Sequence, residues 1–189
     1  MIILNKKTFS DSDDLNEDNF IKICLSPDNK LVPDLHDNLS GKSVWLPANK
    51  FLITDILEKE ELKVYFGVPE FLTTDLGALI SKILRKKVLN SISLANKSGN
   101  LAIGIDAIKT QLNQKKHCLI LVAKEAKSLL NNSFFSSKNI SIFECMLEQK
   151  DLEKSTGKNN VKYVGILSKT FKKTIQVDLN KLKGFIDNH

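Results

Sequence analysis

Arginine is nearly absent from this chain. Of its 28 basic residues only Arg85 is an arginine, and the others are lysines. Arginine binds anions through a planar, two-pronged group that also stacks on rings, whereas lysine offers a point charge. The composition therefore excludes a surface built on several arginines. Any anion that the chain binds is held mainly by lysines, which predicts binding that depends strongly on salt and discriminates poorly between related ligands.

Long apolar stretches and paired cysteines are absent as well. No run approaches the roughly 20 apolar residues of a membrane span, and the opening MIILNKK is too short for a signal peptide, with its charges on the wrong side. Cys24, Cys118 and Cys145 lie in separate apolar runs without CxxC spacing, which predicts buried thiols. We expect a cytoplasmic protein with no membrane partner. Its 189 residues, 42% of them hydrophobic, suffice for one large or two small domains without disulfides.

Phosphate-binding loop signatures are incomplete. Gly41-Lys42-Ser43 has the ending of such a loop, but His36 stands where the first glycine is required. Gly157-Lys158 fails in the same way, because Leu152 occupies the glycine position. Both matches are therefore interpreted as spurious.

Metal and catalytic signatures are missing too. The three histidines, His36, His117 and His189, are far apart, and none has a histidine or cysteine at zinc spacing. The acidic run at residues 11–18 lacks the central glycine of a calcium-binding loop, so we interpret it as a solvated segment. We predict no catalytic residue, no metal and no cofactor.

Charge is divided unequally along the chain. Residues 1–77 carry 8 lysines and 14 acids, a formal charge of −6, whereas residues 78–189 carry 20 basic residues and 8 acids, a formal charge of +12. A concentrated positive field raises the local concentration of polyanions, and an acidic region repels them. Phosphate binding is therefore expected in the second half.

The first half shows short strands followed by a helix. The apolar pattern and the turn residues of SPDNK predict strands at residues 20–25, 31–32 and 43–46, a helix at residues 50–61 and a connection at residues 64–72. Gly77 marks the predicted boundary of a small α+β domain, residues 1–77.

The second half alternates helices and strands. Predicted helices cover residues 79–92 (closed by Gly99), 104–114, 125–130, 149–155 and 171–186, and predicted strands cover residues 100–103, 118–123, 140–145 and 161–167. The continuous apolar run CLILVA is typical of a strand covered on both faces. This order predicts a three-layer α/β/α sandwich in residues 78–189, and the whole chain is of the α/β class.

Two segments resemble known families. NSISLANKSGNLAIG, followed by a helix, by KHCLILVAKEA and by QKDLEKSTGKNNVKYVGIL, resembles the ribosomal-protein domain family L-seven-Ae, whose members bind RNA, often at kink-turns. In the first half, FIKICLSPDNKLVPDLHDNLSGKSVWLP resembles the bacterial YlxR family. Fusions of these two domains in this order occur in bacteria.

The L-seven-Ae resemblance implies where RNA would bind. The family contact lies where the first strand turns into the second helix, a place where glycine permits close approach and the helix N-terminus attracts phosphate. It implies RNA contacts at the following residues: Asn96, Lys97, Gly99, Asn100, Gly104, Asp106 and Lys158. We expect Asp106 to cap that helix and Asn96, Lys97 and Asn100 to form a donor cluster at the same end of the sheet. Lys97 has the alternative role of complementing a helix C-terminus.

The sequence departs from both families at signature positions. Kink-turn binders have an Asn-Glu pair where this chain has Asp106-Ala107, and a lysine at the position of Thr110. The YlxR Gly-Arg-Gly signature is replaced by Gly41-Lys42-Ser43, and its Arg-x-Cys signature is not recognisable. We expect Lys42 to retain a weak RNA contact, with the alternative that Gly41 only forms a turn and Lys42 is solvated.

Charge, the missing catalytic signatures and the two resemblances together predict a non-enzymatic RNA-binding accessory protein. The resemblances imply a partner that is structured RNA of the translation or tRNA-processing machinery, of a ribosomal or ribonuclease P type, and the charge implies that the basic second half supplies most of the binding. The alternative is a protein-interaction or regulatory module whose acidic half docks onto a basic partner such as a ribosomal protein. Two lysine-rich groups, residues 82–87 and 169–173, are either binding patches or solvated faces.

Overall fold

The computed structural model describes residues 17–72, 75–114, 118–130, 132–136 and 140–186. Within these residues it contains seven α-helices and two sheets, so the predicted α/β class is confirmed. The chain divides into two compact units, which we call the terminal unit (Met1–Ile83 and Asn180–His189) and the central unit (Leu84–Leu179). Of the acidic segment, only residues 17–19, a 3₁₀ turn, lie among the described residues. His117 and His189 lie outside them.

The terminal unit begins with a three-stranded antiparallel sheet. Strands β1 (Phe20–Leu25), β2 (Leu31–Pro33) and β3 (Ser43–Pro47) are arranged in the order β2-β1-β3. All three were predicted. The turn between β1 and β2 closes through the Asn29 N–H, which donates to the Ser26 carbonyl at 3.0 Å.

The single helix predicted for residues 50–61 is wrong, because two helices form. They are α1 (Lys50–Leu57) and α2 (Glu60–Phe66), so the connection predicted from residue 64 begins only at Gly67. The buried side chains explain the break. Ile56 and Leu62 are six residues apart, which at about 100° per residue would place them on different sides of a continuous helix. A break at Lys59, whose backbone is extended, allows both to reach the core.

Residues 182–185 dock within the terminal unit. The Gly184 carbonyl accepts a hydrogen bond from the Lys50 N–H at 2.9 Å, and its neighbours Leu182 and Phe185 are 1% and 6% exposed. A methyl group on Gly184 would lie 1.8 Å from the Ala48 carbonyl oxygen. Glycine is therefore required here for close backbone approach, a role that the sequence pattern did not indicate.

The central unit contains a four-stranded mixed sheet. The elements in and around it are α3 (Leu76–Lys97), β4 (Leu101–Ile103), α4 (Ile105–Asn113), β5 (Leu119–Ala123), α5 (Ser133–Ser136), β6 (Ser141–Leu147), α6 (Gln149–Thr156), β7 (Tyr163–Ile166) and α7 (Lys169–Lys183). The strand order is β4-β7-β5-β6; β5 and β6 are parallel, and β7 is antiparallel to both of its neighbours. Gly77 lies within the first turn of α3, and the domain boundary predicted there stays a prediction.

Helices pack around this sheet. On one face, Ile108 and Leu112 of α4 pack in a buried cluster with Cys118, Ile120 and Val122. Ion pairs join α3 to α6, through Arg85 and Asp151, and to α7, through Lys87 and Asp178. All five residues of β5 are buried, as the apolar run predicted. Since successive side chains of a strand point to opposite faces, both faces of the sheet are covered at β5, as a sandwich requires; the three-layer arrangement itself stays a prediction.

Two predictions for the central unit are wrong. Residues 125–130 form turns rather than a helix, because side chains fix them: Glu125 accepts from the Gln149 N–H at 2.8 Å, and Glu144 accepts from the Leu129 N–H at 2.7 Å. Cys145 is exposed, whereas Cys24 and Cys118 are buried as predicted. The pairing of β5 with β6 is irregular near Cys145, whose φ is positive (61°). Such an irregularity re-orients a side chain, and here the Cys145 side chain is exposed.

None of the described helices combines the length and the apolar character that a membrane crossing needs.

Candidate functional site

The turn after α3 is fixed by backbone hydrogen bonds. The Asn100 N–H donates to the Ala95 carbonyl at 2.8 Å and the Gly99 N–H to the Asn96 carbonyl at 3.0 Å. With Gly99 in the left-handed region (φ 69°), this is a Schellman motif. Gly99 therefore serves to end the helix, and its exposed backbone lies beside the exposed Lys97.

The turn after β4 requires glycine for a different reason. Gly104 has φ 91° and ψ 156°, a conformation that is essentially restricted to glycine. A Cβ at this position would meet nothing within 4 Å. Gly104 precedes α4 without a side-chain cap, so the expectation that Asp106 caps this helix is wrong: Asp106 lies exposed in the first turn.

These two turns lie at opposite ends of the sheet. The Asn100 carbonyl accepts from the Leu167 N–H, just beyond the end of β7, at 3.0 Å, whereas the Gly104 N–H donates to the carbonyl of Tyr163, the first residue of β7, at 2.9 Å. Four residues of strand therefore separate them, about 13 Å at the usual rise. The expectation of one donor cluster at the same end of the sheet is wrong. The resemblance placed both turns near RNA, but the strand between them keeps them apart.

Asn96 and Asn100 use their amide groups within the fold. Asn96 Nδ2 donates to the Thr156 carbonyl at 2.8 Å, and Asn100 Nδ2 donates to the Ser98 carbonyl and hydroxyl, both at 3.0 Å. The Asn96 bond fastens the end of α3 to the end of α6, and the Asn100 bonds hold the turn itself. Lys158 follows Thr156 by two residues and therefore lies at the Asn100 end.

Five lysines collect at that end. We call the group the lysine end: Lys97, Lys158, Lys169, Lys172 and Lys173. Four of them are exposed, and Lys172 is half-buried near Cys118. No carboxylate among the described residues forms an ion pair with any of the five.

The opposite end, which we call the Gly104 end, has mixed charge. Lys124, Lys127 and Lys162 are exposed there, but the carboxylates of Asp106, Glu125 and Glu148 lie at the same end. Lys150 pairs with Glu148 at 2.7 Å. The hydrogen bond from Lys150 holds the pKa of Glu148 below its usual value, so this carboxylate stays charged.

The lysine-rich group at residues 82–87 is not a free patch. Arg85, the one arginine, donates to Asp151 at 3.1 Å and to the Met146 carbonyl at 3.2 Å. Lys87 donates to the buried Asp178 at 3.0 Å. These two residues join helices within the central unit. Lys82 and Lys86 are exposed.

Lys42 lies apart from the other candidates, in the terminal unit. Its ammonium donates to the Tyr65 carbonyl at 3.4 Å, and the Tyr65 hydroxyl donates to the Ser43 carbonyl at 3.0 Å. Gly41 has φ 108° with open space where a Cβ would be, which fits the alternative that it forms a turn.

A buried carboxylate in the terminal unit was not predicted. Asp34 is paired with Lys22 at 3.1 Å and accepts from the N–H groups of Asn38 and Leu39, both at 3.0 Å. Burial opposes its ionisation, but these hydrogen bonds and Lys22 outweigh burial and lower the pKa of Asp34 to about 2. The cluster borders an open cleft of about 380 Å³ that Trp45 also lines. The one available signal was VPD, in which a carboxylate directly follows a strand.

Among the described residues, no group of three or more histidines, cysteines and acids has a geometry that could hold a metal ion. The predictions of no metal and no cofactor stay predictions.

Comparison with known proteins gives likeness in structure alone. No family model and no curated protein matches the chain. The chain is similar to a protein of unknown function from Bacillus halodurans, with 17% identity and a TM-score of 0.45, over 50% of this chain and 97% of that one. It is also similar to a 15.5 kD RNA binding protein from Giardia lamblia, with 14% identity and a TM-score of 0.44, over 55% of this chain and 91% of that one. Likenesses of this size carry no conclusion about what the present chain binds.

Proposed function

We propose that this protein is a non-enzymatic RNA-binding accessory protein whose affinity comes from the central unit. The proposal rests on the net positive charge of the central unit and on the engagement of nearly all its acids in contacts within the unit. The central unit holds 17 basic and 7 acidic residues, a formal charge of +10. Six of the seven acids are engaged in hydrogen bonds or ion pairs within the unit: Glu125, Glu144, Glu148, Asp151, Glu153 and Asp178.

Unpaired lysines on an exposed surface favour a polyanionic partner. A nucleic-acid backbone offers closely spaced phosphates, and each phosphate that a lysine neutralises releases a counterion into solution. The resemblance of residues 90–104 to the L-seven-Ae family points to structured RNA within this class, of the translation or tRNA-processing machinery. Because Arg85 is used inside the fold, recognition rests on lysine charge and shape more than on base contacts.

Fluorescence anisotropy tests this proposal. The full chain is titrated into a labelled RNA hairpin and into a labelled single strand of the same composition, at low salt. We expect saturable binding to both, with tighter binding to the hairpin. Absence of binding to either RNA at low salt would refute the proposal.

A protein-interaction module is the second candidate, and one surface feature favours it. Phe51 in α1 and Val64 in α2 are 78% and 77% exposed. The same two helices and their junction carry four acids and three lysines, and two of the acids are paired: Asp55 with Lys59 and Glu60 with Lys63. Exposed apolar side chains are typical of a surface that docks another protein, and the excess of one acid favours a basic partner. The double variant Phe51→Ser with Val64→Ser should abolish binding to such a partner and leave RNA affinity unchanged.

A further inference from the structure

We propose that the RNA backbone is held at the lysine end of the central unit and not at the Gly104 end. This inference rests on the RNA-binding function proposed above and names the surface that performs it. It keeps Lys97 and Lys158, which the family resemblance also implies, adds the three lysines of α7, and departs from the resemblance by leaving out the turn into α4.

Three separate chain segments bring the lysines of this end together. The hydrogen bond from Asn96 Nδ2 to the Thr156 carbonyl, 2.8 Å, joins the end of α3 to the end of α6. The hydrogen bond from the Leu167 N–H to the Asn100 carbonyl, 3.0 Å, joins the turn after α3 to the start of α7. Lys97 therefore lies between the segment of Lys158 and the segment of α7. A surface built from three anchored segments presents its charges in a fixed arrangement.

The lysines of α7 stand where helix stability does not favour them. A helix N-terminus carries a partial positive charge, so acids are favoured in the first turn and lysines are not. The first turn of α7 contains no acid, and Lys169, Lys172 and Lys173 all fall within its first five residues. Lys97 and Lys158, in contrast, stand at helix C-termini, where lysine complements the dipole. Folding thus accounts for those two lysines but not for the three of α7, whose placement is explained by an anionic ligand.

The Gly104 end is a poorer site for a polyanion. Asp106 is exposed in the first turn of α4, so it offsets the positive end of that helix. Glu125 and Glu148 add two further carboxylates nearby. A phosphate backbone at this end would meet lysines and carboxylates together, whereas none of the five lysines of the lysine end pairs with a carboxylate among the described residues.

Two triple variants with the same change of charge separate the two ends. One replaces Lys97, Lys169 and Lys173 with glutamine, and the matched control replaces Lys124, Lys127 and Lys162 with glutamine. All six side chains are exposed, so both variants keep the core intact. Each is titrated, as the full chain, against a labelled RNA hairpin that contains a kink-turn and against a hairpin of equal length without one, over a range of salt concentrations.

The lysine-end variant should lose affinity and salt dependence together. Removal of three phosphate contacts lowers the slope of log K against log salt by about 2.7 and weakens binding on the order of 100-fold at ~0.1 M salt. The control variant should keep the wild-type slope on both hairpins. Equal losses of affinity in the two variants, or a loss of affinity in the control alone, would overturn the inference about the lysine end. The proposed function would still stand, because the wild type binds RNA in both cases. No binding by the wild type to either hairpin would instead refute the proposed function itself.

Discussion

Replacement of Gly184 by alanine should undock residues 182–185 from the terminal unit. The added Cβ would lie 1.8 Å from the Ala48 carbonyl oxygen, 2.8 Å from the Ala48 carbonyl carbon and 3.2 Å from the Asn49 Cα. All three atoms belong to the backbone, so none can swing aside as a flexible side chain would. Cβ atoms essentially never lie closer than 3.0 Å to another heavy atom. The Ala48 carbonyl oxygen and the new Cβ must therefore move apart by more than 1 Å.

That separation breaks more than one interaction. The Gly184 carbonyl would lose the hydrogen bond from the Lys50 N–H, worth about 1 kcal/mol. Leu182 and Phe185, now 1% and 6% exposed, would be partly uncovered, and full exposure of one such side chain costs about 1.5–3 kcal/mol. We expect Gly184→Ala to lower the free energy of unfolding by about 2–4 kcal/mol, which for a chain of this length lowers Tm by about 10 °C.

Gly77→Ala is the matched control. A Cβ on Gly77 would meet its nearest neighbour, the Lys50 Cγ, at 3.2 Å, and that neighbour is a flexible side chain. Because Gly77 lies in α3 with an ordinary helical backbone, alanine there should leave stability unchanged or raise it by up to about 1 kcal/mol. Urea unfolding followed by circular dichroism measures both variants. Equal stability of the two variants would refute the argument from close backbone approach.

Three further predictions concern charge, thiols and backbone. Folding lowers the pKa of Asp34 from 3.8 to about 2, so its contribution of about 2 kcal/mol to the free energy of unfolding is present above pH ~4 and is lost as pH falls towards 2. Asp34→Asn should therefore flatten the acid side of a plot of Tm against pH, and an unchanged acid side would contradict the assignment. Cys145, which is exposed, should react with Ellman's reagent in the native protein. Cys24 and Cys118 should react only after unfolding, because burial raises the pKa of both thiols, that of Cys118 to about 11. Equal rates for all three thiols in the native protein would contradict this burial. Gly104→Ala and Gly104→Leu should destabilise the protein by a similar amount, about 1–3 kcal/mol. The strain comes from the positive φ, and the space around a Cβ at this position is open. A much larger loss of stability for leucine in thermal unfolding would indicate a steric clash instead.

Much of the fold could be predicted from local patterns. The buried run of β5, the strands around Trp45 and the helix closed by Gly99 follow from apolar periodicity and from turn residues, which act over a few positions. The helix predicted for residues 125–130 is wrong because hydrogen bonds to residues distant in sequence hold this segment in turns. The Glu144 side chain accepts from the Leu129 N–H, and the Glu125 side chain accepts from the Gln149 N–H; no local pattern contains these contacts.

The candidate site was harder to predict for the same reason. Sequence proximity of Gly99 and Gly104 suggested one site, but a strand between two turns places them at opposite ends of a sheet. Lys97 and Lys169 are far apart in sequence and come to one end only through the hydrogen bond from the Leu167 N–H to the Asn100 carbonyl. Charge composition predicted that phosphate binding belongs to the second half, and it could not distinguish the paired Lys87 from the unpaired Lys173.

The central claim is that unpaired lysines of the central unit bind RNA by charge, and the salt dependence of affinity tests it most directly. The dissociation constant of the full chain for a structured RNA hairpin is measured by fluorescence anisotropy at increasing salt. If the five lysines of the lysine end each neutralise one phosphate, log K falls against log salt with a slope of about −4.5, at about 0.9 per phosphate. A slope near zero, or no measurable affinity at the lowest salt, would contradict the claim.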